Sequence, residues 1–506
     1  MPFFCYFIFL FSLFQIESSN ELVFVMTHFR HGARAPQKFY QDYLDYVKEK
    51  WENPGELTGV GQRMHFLLGL RNRIRYIDEF KFLKESFDPH EILIYSSPFN
   101  RTLVSVSSQL QGLYPQSVKK GEVLSLEQEE YSKPQVDVDC EKINNVISSL
   151  NGSALPNSMI IAPVRMINNN ERKITLYDIE GCKDKRDAIK KNNSETLESL
   201  INLVKTFNDL YKEKLNHFYE KEEEYNLTFI NEFCDAFITD YTDRRNMTEL
   251  NNAGINFEKL LDFCYDFERS NFRDWVLGDK EHVLAHLEIS KLMREFIHYM
   301  KQRVDAHING EDLDNKFEDY SKPKMMMVSG HDSTISCYEI ILMEVFGIDL
   351  DSFQYPRFAS QIAFEVTVDD NDKLNKTYKD YIINYYFNDK LEISVNMQEF
   401  IDKITPHIWS DKQIADFCGL DSDKDDEHKE DEHKEDEHKE GENKGDNNNN
   451  QQSYKENNSS KVALIIFIIL TIIFLTISVI LFIQLKKAKR EKSSENFNSL
   501  IPKSSE

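Results

Sequence analysis

The stretch Glu21–Pro36, ELVFVMTHFRHGARAP, decides the fold and points to the chemistry. Leu22-Val23-Phe24-Val25-Met26 is a continuous apolar run, partly β-branched, and it predicts a buried strand. Arg30-His31-Gly32-Ala33-Arg34-Ala35-Pro36 follows closely. In open α/β sheets, ligands bind beyond the carboxyl ends of strands. A histidine held there between two guanidinium groups can attack a phosphoryl group, while the arginines neutralise and orient its equatorial oxygens. Gly32 is expected to let the backbone approach a ligand closely.

The same order of strand, polar turn and helix recurs twice. Glu91–Ser97 (EILIYSS) predicts a strand, Arg101 follows in the turn, and Val104–Leu113 reads as a helix. Lys324–Val328 (KMMMV) predicts another strand, followed by Ser329-Gly330-His331-Asp332 and a helix over Ile335–Phe346. Helix N-termini favour anions through their free N–H groups and dipole. Between these units, Thr58 is an expected N-cap. Met64, Leu67, Leu68 and Leu70 supply the expected apolar face of the helix it opens.

Residues 30–36 resemble the signature of the histidine acid phosphatase family, Arg-His-Gly-x-Arg-x-Pro, at all five specified positions. The stretch Gly55–Gly61, the strand-to-Arg101 segment and His331-Asp332 are also similar to that family, which belongs to the histidine phosphatase superfamily. Tyr355–Ser360 resembles its Tyr-Ala-Ser segment, with Phe358 in place of the tyrosine. The resemblance implies a phosphoglycerate-mutase-like α/β sandwich domain (residues 19–140 and 320–420) with an inserted helical cap (141–319). It implies that His31 is the nucleophile and Asp332 the proton donor. Arg30, Arg34, Arg101 and a protonated His331 would bind phosphate, with no metal and no cofactor. The implied activity is an acid phosphatase hydrolysing small phosphate monoesters through a phosphohistidine, with an acid optimum. The alternatives are a phytase-like or lysophospholipid-directed phosphatase, and a catalytically inactive surface ectodomain. The resemblance further implies a homodimer and a disulfide, for which Cys182 and Cys418 are the nearest positions.

The 506 residues carry a formal net charge of -25, which argues against nucleic acid as a partner. Residues 1–18 begin with the apolar run PFFCYFIFLFSLF and read as a signal peptide. Val462–Ile483 is uncharged and long enough for a transmembrane helix, and the Lys- and Arg-rich residues after it place the tail, 484–506, in the cytoplasm. The low-complexity stretch 421–461 predicts a disordered stalk. This describes a type I membrane protein with its ectodomain in the lumen or outside, in the lysosome or endosome or at the plasma membrane. Glycosylation sequons at Asn151, Asn192, Asn226, Asn246 and Asn375 fit that setting. The sequon at Asn100 is expected to stay unused, since a glycan there would crowd the pocket. Without Cys5, six cysteines remain, an even number that suggests disulfides and leaves their pairing open.

Overall fold

The computed structural model describes residues 20–37, 51–115, 124–132, 149–150, 152–155, 160–166, 194–219, 224–277, 283–311, 322–369 and 376–419. These lie in the first of two units, residues 1–429; the second, residues 430–506, is outside them. The expected signal peptide, stalk, membrane span and tail therefore fall outside the described residues, as do Asn151, Asn192, Asn375 and Cys182. Among the described residues no helix is long and apolar enough to cross a membrane.

The strands are β1 (Asn20–Arg30), β2 (Ile92–Ser96), β3 (Arg165–Met166), β4 (Met325–Gly330), β5 (Gln361–Asp369), β6 (Tyr381–Phe387) and β7 (Lys390–Asn396). They form one sheet in the order β3-β2-β4-β1-β5-β6-β7. β1, β2, β3 and β4 run parallel, whereas β5, β6 and β7 are antiparallel. The helices of eight residues or more are α1 (Gly59–Arg73), α2 (Asn100–Leu113), α3 (Ser194–Tyr219), α4 (Leu227–Thr242), α5 (Phe257–Leu277), α6 (Val283–Ile308), α7 (Asp332–Phe346), α8 (Met397–Ile404) and α9 (Asp411–Cys418).

Strand side chains alternate between faces, so one apolar run can serve two cores. Val25, Phe29, Met325 and Met327 pack with Val106, Leu110 and Leu113 of α2 on one face. Phe24, Met26, Met326 and Val328 pack with Ile289, Phe296 and Met300 of α6 and with α7 and α8 on the other. The continuous apolar character of β1 and β4 follows from burial on both sides.

α1 does not bury the apolar face expected of it. Leu67 is 54% exposed, while Gly61, His65, Gly69 and Asn72 are buried. The reason is close backbone contact. A Cβ on Gly69 would lie 2.0 Å from the Gln109 carbonyl oxygen of α2, and one on Gly112 would lie 2.0 Å from the Phe66 oxygen. Small residues thus set the α1–α2 distance where bulky ones were expected to fill it. Gly69→Ala should lower unfolding stability by about 3 kcal/mol, because backbone on both helices must move. A denaturation midpoint equal to that of the wild type would show that the helices separate freely.

A second cluster of helices comprises α3, α4 and α5. Its core is aromatic: Phe207, Phe229, Phe233 and Phe263 are buried together. Tyr225, just before α4, and Phe229, Phe233 and Phe237 of α4 repeat at four-residue spacing and stack in sequence. Asn226 caps α4 by accepting from the Phe229 N–H (2.9 Å). A disulfide between Cys234 and Cys264 ties α4 to α5. The expected insertion, residues 141–319, includes α6 and β3. α6 packs under the sheet with Phe24 and Phe364, because its apolar stripe matches that face. β3, also inside the expected insertion, pairs with β2 in the sheet. Cys337 departs from the expectation raised by the even cysteine count. It is a buried free thiol of α7, whose burial pushes its pKa well above the usual value. Cys418 is disulfide-bonded, and its partner lies outside the described residues.

Candidate active site

The register of the parallel strands brings three loop starts to one level. Arg30 pairs with Gly330, Phe29 with Ser329, and Ser96 with Ser329. The next residues, His31, Ser97 and His331, therefore leave the sheet side by side. Two backbone bonds hold this arrangement: His31 N–H donates to the Gly330 oxygen (3.0 Å) and Ser97 N–H to the Ser329 oxygen (3.1 Å). α2 and α7 begin earlier than expected, at Asn100 and Asp332. Arg101 and Asp332 thus lie in the first turns of helices, where the helix dipole favours anions.

The loop after β1 is fixed by α1. Thr58 caps that helix through the Gly61 N–H, and its own N–H donates to the Ala33 oxygen (2.9 Å). A Cβ on Gly32 would lie 2.5 Å from the Gly61 carbonyl oxygen. Gly32 is therefore required by the contact of the loop with α1. Its N–H donates to Ser105 Oγ of α2 (3.2 Å).

Arg30, His31, Arg34, Arg101, His331 and Asp332 all line one cavity of about 340 Å³. His31 is buried, and its Nδ1 lies 2.9 Å from its acceptor, the Gly32 carbonyl oxygen. That contact puts the proton on Nδ1 and leaves the Nε2 lone pair unprotonated. Burial, and then the charges of Arg30 and Arg34, hold the His31 imidazole well below its usual pKa. A buried neutral imidazole is the form a nitrogen nucleophile requires.

The free site treats His331 differently from a phosphate-bound one. Burial and the Arg101 guanidinium lower its pKa to about 3, against an opposing pull from Asp332. In the free site it is neutral, because burial, and then the arginine charges around it, oppose the second proton. Its Nε2 lies 3.0 Å from Ser97 Oγ, which lies 2.8 Å from Thr102 Oγ1. Thr102 donates to the Phe99 and Ser97 carbonyl oxygens, so the chain runs as donor from His331 outward. A bound phosphate dianion would offset the arginine charge and restore the cationic form.

The Arg30 guanidinium pairs with Asp332 (Nη2–Oδ2, 2.7 Å), donates to the Pro356 oxygen (2.7 Å) and lies 4.4 Å from the Phe358 ring centre. Burial alone would raise the pKa of Asp332. Arg30 and a hydrogen bond from Tyr355 outweigh it, and the carboxyl lies below its usual range. Arg34 is held by Asp235 of α4 (Nη2–Oδ1, 2.7 Å), which also accepts from the Gln37 N–H (2.9 Å). Arg101 lies over the Phe99 ring at 4.4 Å, and burial and Arg34 lower its pKa to about 10. With its amide oxygen turned inward, Gln37 accepts from both terminal nitrogens of Arg101 (3.0 and 3.2 Å).

The family profile that matches is the histidine phosphatase superfamily, branch 2, over residues 21–388. The chain belongs to this family. Among curated members, it is 43% identical over 108 residues to the lysosomal acid phosphatase of Xenopus laevis, covering 21% of this chain and 24% of that one. It is 38% identical over 99 residues to the human prostatic acid phosphatase, covering 19% and 24%. These matches span about a quarter of the relatives' length. The apo structure of Hafnia alvei phytase aligns with a TM-score of 0.50 at 13% identity, covering 79% of this chain and 98% of that one, a similarity of fold.

Asp235, Gln37, Ser97 and Tyr355 also line this cavity and were not singled out from sequence for the site. Asp235 lies 201 residues from Arg34, inside a helix whose pattern reads only as amphipathic. Gln37 directly follows the signature, and Ser97 ends a predicted strand, so position was their available signal. Asn226 and Asn246 are exposed. Asn100 donates to Glu56 (3.0 Å) directly beside Arg101.

Proposed function

We propose that this chain is a phosphatase of phosphate monoesters that works through a phosphohistidine. The observation carrying this reading is the convergence of Arg30, Arg34, Arg101, His31, His331 and Asp332 on one cavity at the level ends of three parallel strands. The phosphoryl group lies among the three guanidinium groups and the first turns of α2 and α7. His31 Nε2 attacks phosphorus in line as the ester P–O bond breaks. Asp332 gives a proton to the leaving oxygen, then takes one from the water that cleaves the N–P bond. The arginines supply positive charge where the transition state gathers negative charge.

Acid conditions suit this assignment, because Asp332 is held ionised in the free site. Among the described lining residues the positive charges are Arg30, Arg34 and Arg101, while the cap contributes Asp235 and Glu268. That balance favours esters carrying one phosphoryl group over polyphosphorylated ones. In this reading Val462–Ile483 anchors an ectodomain in the lysosome or endosome or at the cell surface, and a homodimer enters from the family resemblance.

The test is hydrolysis of p-nitrophenyl phosphate from pH 4 to 9, with and without a chelator. Chelator-resistant turnover, highest at acid pH, is expected. No turnover by folded protein at any pH would favour an inactive ectodomain. Activity rising steadily toward alkaline pH would remove the role given to Asp332.

A further inference from the structure

The carboxylate of Asp332 receives three donors. Oδ1 accepts from the Ser333 N–H (2.9 Å). Oδ2 accepts both from Arg30 (2.7 Å) and from the Tyr355 hydroxyl (2.6 Å). Within the phosphatase reading, Arg30 is also a phosphate ligand, so a bound phosphoryl group shares its charge. Tyr355 has no such second partner in that reading, and its hydroxyl stays on the carboxylate throughout.

We propose that Tyr355 is a positioning residue for Asp332, whose hydroxyl aims the carboxyl group and governs how readily it takes the proton it passes to the leaving oxygen. This inference rests on the phosphatase reading. The ring is held for such a role. It lies 5.3 Å from Phe272 and 6.3 Å from Tyr265 of α5, and the Arg30 guanidinium lies 5.2 Å from its centre. It therefore joins the cap to the proton donor, where a loop tyrosine free in solvent would not keep a short bond.

The charged and titratable groups acting on Asp332 are Arg30 from β1, Arg34 from the loop after it, Arg101 from α2 and His331 beside it. Glu268 of α5 acts on Tyr355. Of the direct donors to Asp332, the phenol is the one whose strength can be varied without moving a phosphate-binding charge.

The experiment compares kcat/KM, which reports the leaving-group step, against pH for glycerol 2-phosphate and p-nitrophenyl phosphate, using the full chain. An alkoxide needs a proton to leave, while nitrophenolate leaves readily without one. The proteins are wild type, Tyr355→Phe, and a chain with 3-fluorotyrosine at position 355. In Tyr355→Phe the lost donor should move the alkaline limb for the alkyl ester up by about one pH unit relative to the aryl ester. The fluorinated phenol is a stronger donor and should move it down. A structural role alone gives no opposed shifts. Equal losses on both esters, or no relative shift, would overturn the inference while leaving the phosphatase reading intact. If Tyr355→Phe is not recovered folded, the fluorinated chain decides, because it keeps both ring and hydroxyl. A wild type that cleaves neither ester removes both readings.

Discussion

Replacing His31 by Ala should reduce turnover of p-nitrophenyl phosphate by at least about 10⁴-fold, with the protein still folded. The size follows from the role: in the proposed mechanism the covalent bond to phosphorus forms on His31. Arg30, Arg34 and Arg101 are cationic, Asp332 is ionised and pinned by donors, and His331 holds its proton toward Ser97. The variant should keep phosphate binding, because the three guanidinium groups remain. It should also fold, since the His31 side chain makes one hydrogen bond, to its own neighbour. Rapid quenching of wild type with labelled substrate should trap phosphorus on the protein. A phosphoramidate survives alkali and is lost in acid, whereas an acyl phosphate on Asp332 is lost in alkali. Label that persists in His31→Ala, or that is alkali-labile, would move the nucleophile elsewhere.

The second large effect is on stability, and it opposes the acid activity. His28 and His65 are buried, with pKa values lowered to about 3 and about 4, chiefly by burial. Neither ring nitrogen of His28 has a hydrogen-bond partner, and its Nε2 fills the space that a Cβ on Gly330 would need. Both values lie below the unfolded imidazole's, about 6.5. Below that pH the unfolded chain binds more protons, so stability is full above about 6.5 and falls as the pH drops toward the folded values. At pH 5 each histidine should cost about 2 kcal/mol, or about 4 kcal/mol for the pair. His31 and His331 act in the same direction, and Asp332 adds to the loss below about pH 4. Denaturant unfolding at pH 7.5 and pH 5 measures this, and His28→Leu should remove about half of the pair's share. Inorganic phosphate should stabilise more at pH 5 than at pH 7.5, because it favours the proton on His331. Equal stability at the two pH values would mean that the buried histidines are hydrated or charged in the native protein.

The local geometry of the site was legible in the sequence because each element carries its own signal. The apolar runs of β1, β2 and β4, each followed by a polar turn and a helix, place Arg30, Arg101 and His331 at strand ends from the chain order alone. The Thr58 cap is a local hydrogen-bond pattern and was equally legible. The face of α1 was not, because the close approach of Gly69 and Gly112 is a property of two helices, and hydropathy gives glycine no weight. The surface that covers α6 was not legible for a related reason: an amphipathic helix shows that it has an apolar stripe, not which surface will cover it.

The sequence by itself determined the order in which the candidate groups follow the strands: Arg30-His31 and Arg34 after one strand, Arg101 after a second, and His331-Asp332 after a third. It could do so because strand, turn and helix propensities act over a few residues. Tertiary structure alone decided the charge states and the supports. The level register of β1, β4 and β2 sets three guanidinium groups around two imidazoles, and burial with that charge makes both histidines neutral. Asp235 and Tyr355 reach Arg34 and Asp332 only after folding, across 201 and 23 residues. Proton affinity depends on charges and solvent within a few ångströms, whichever part of the chain supplies them.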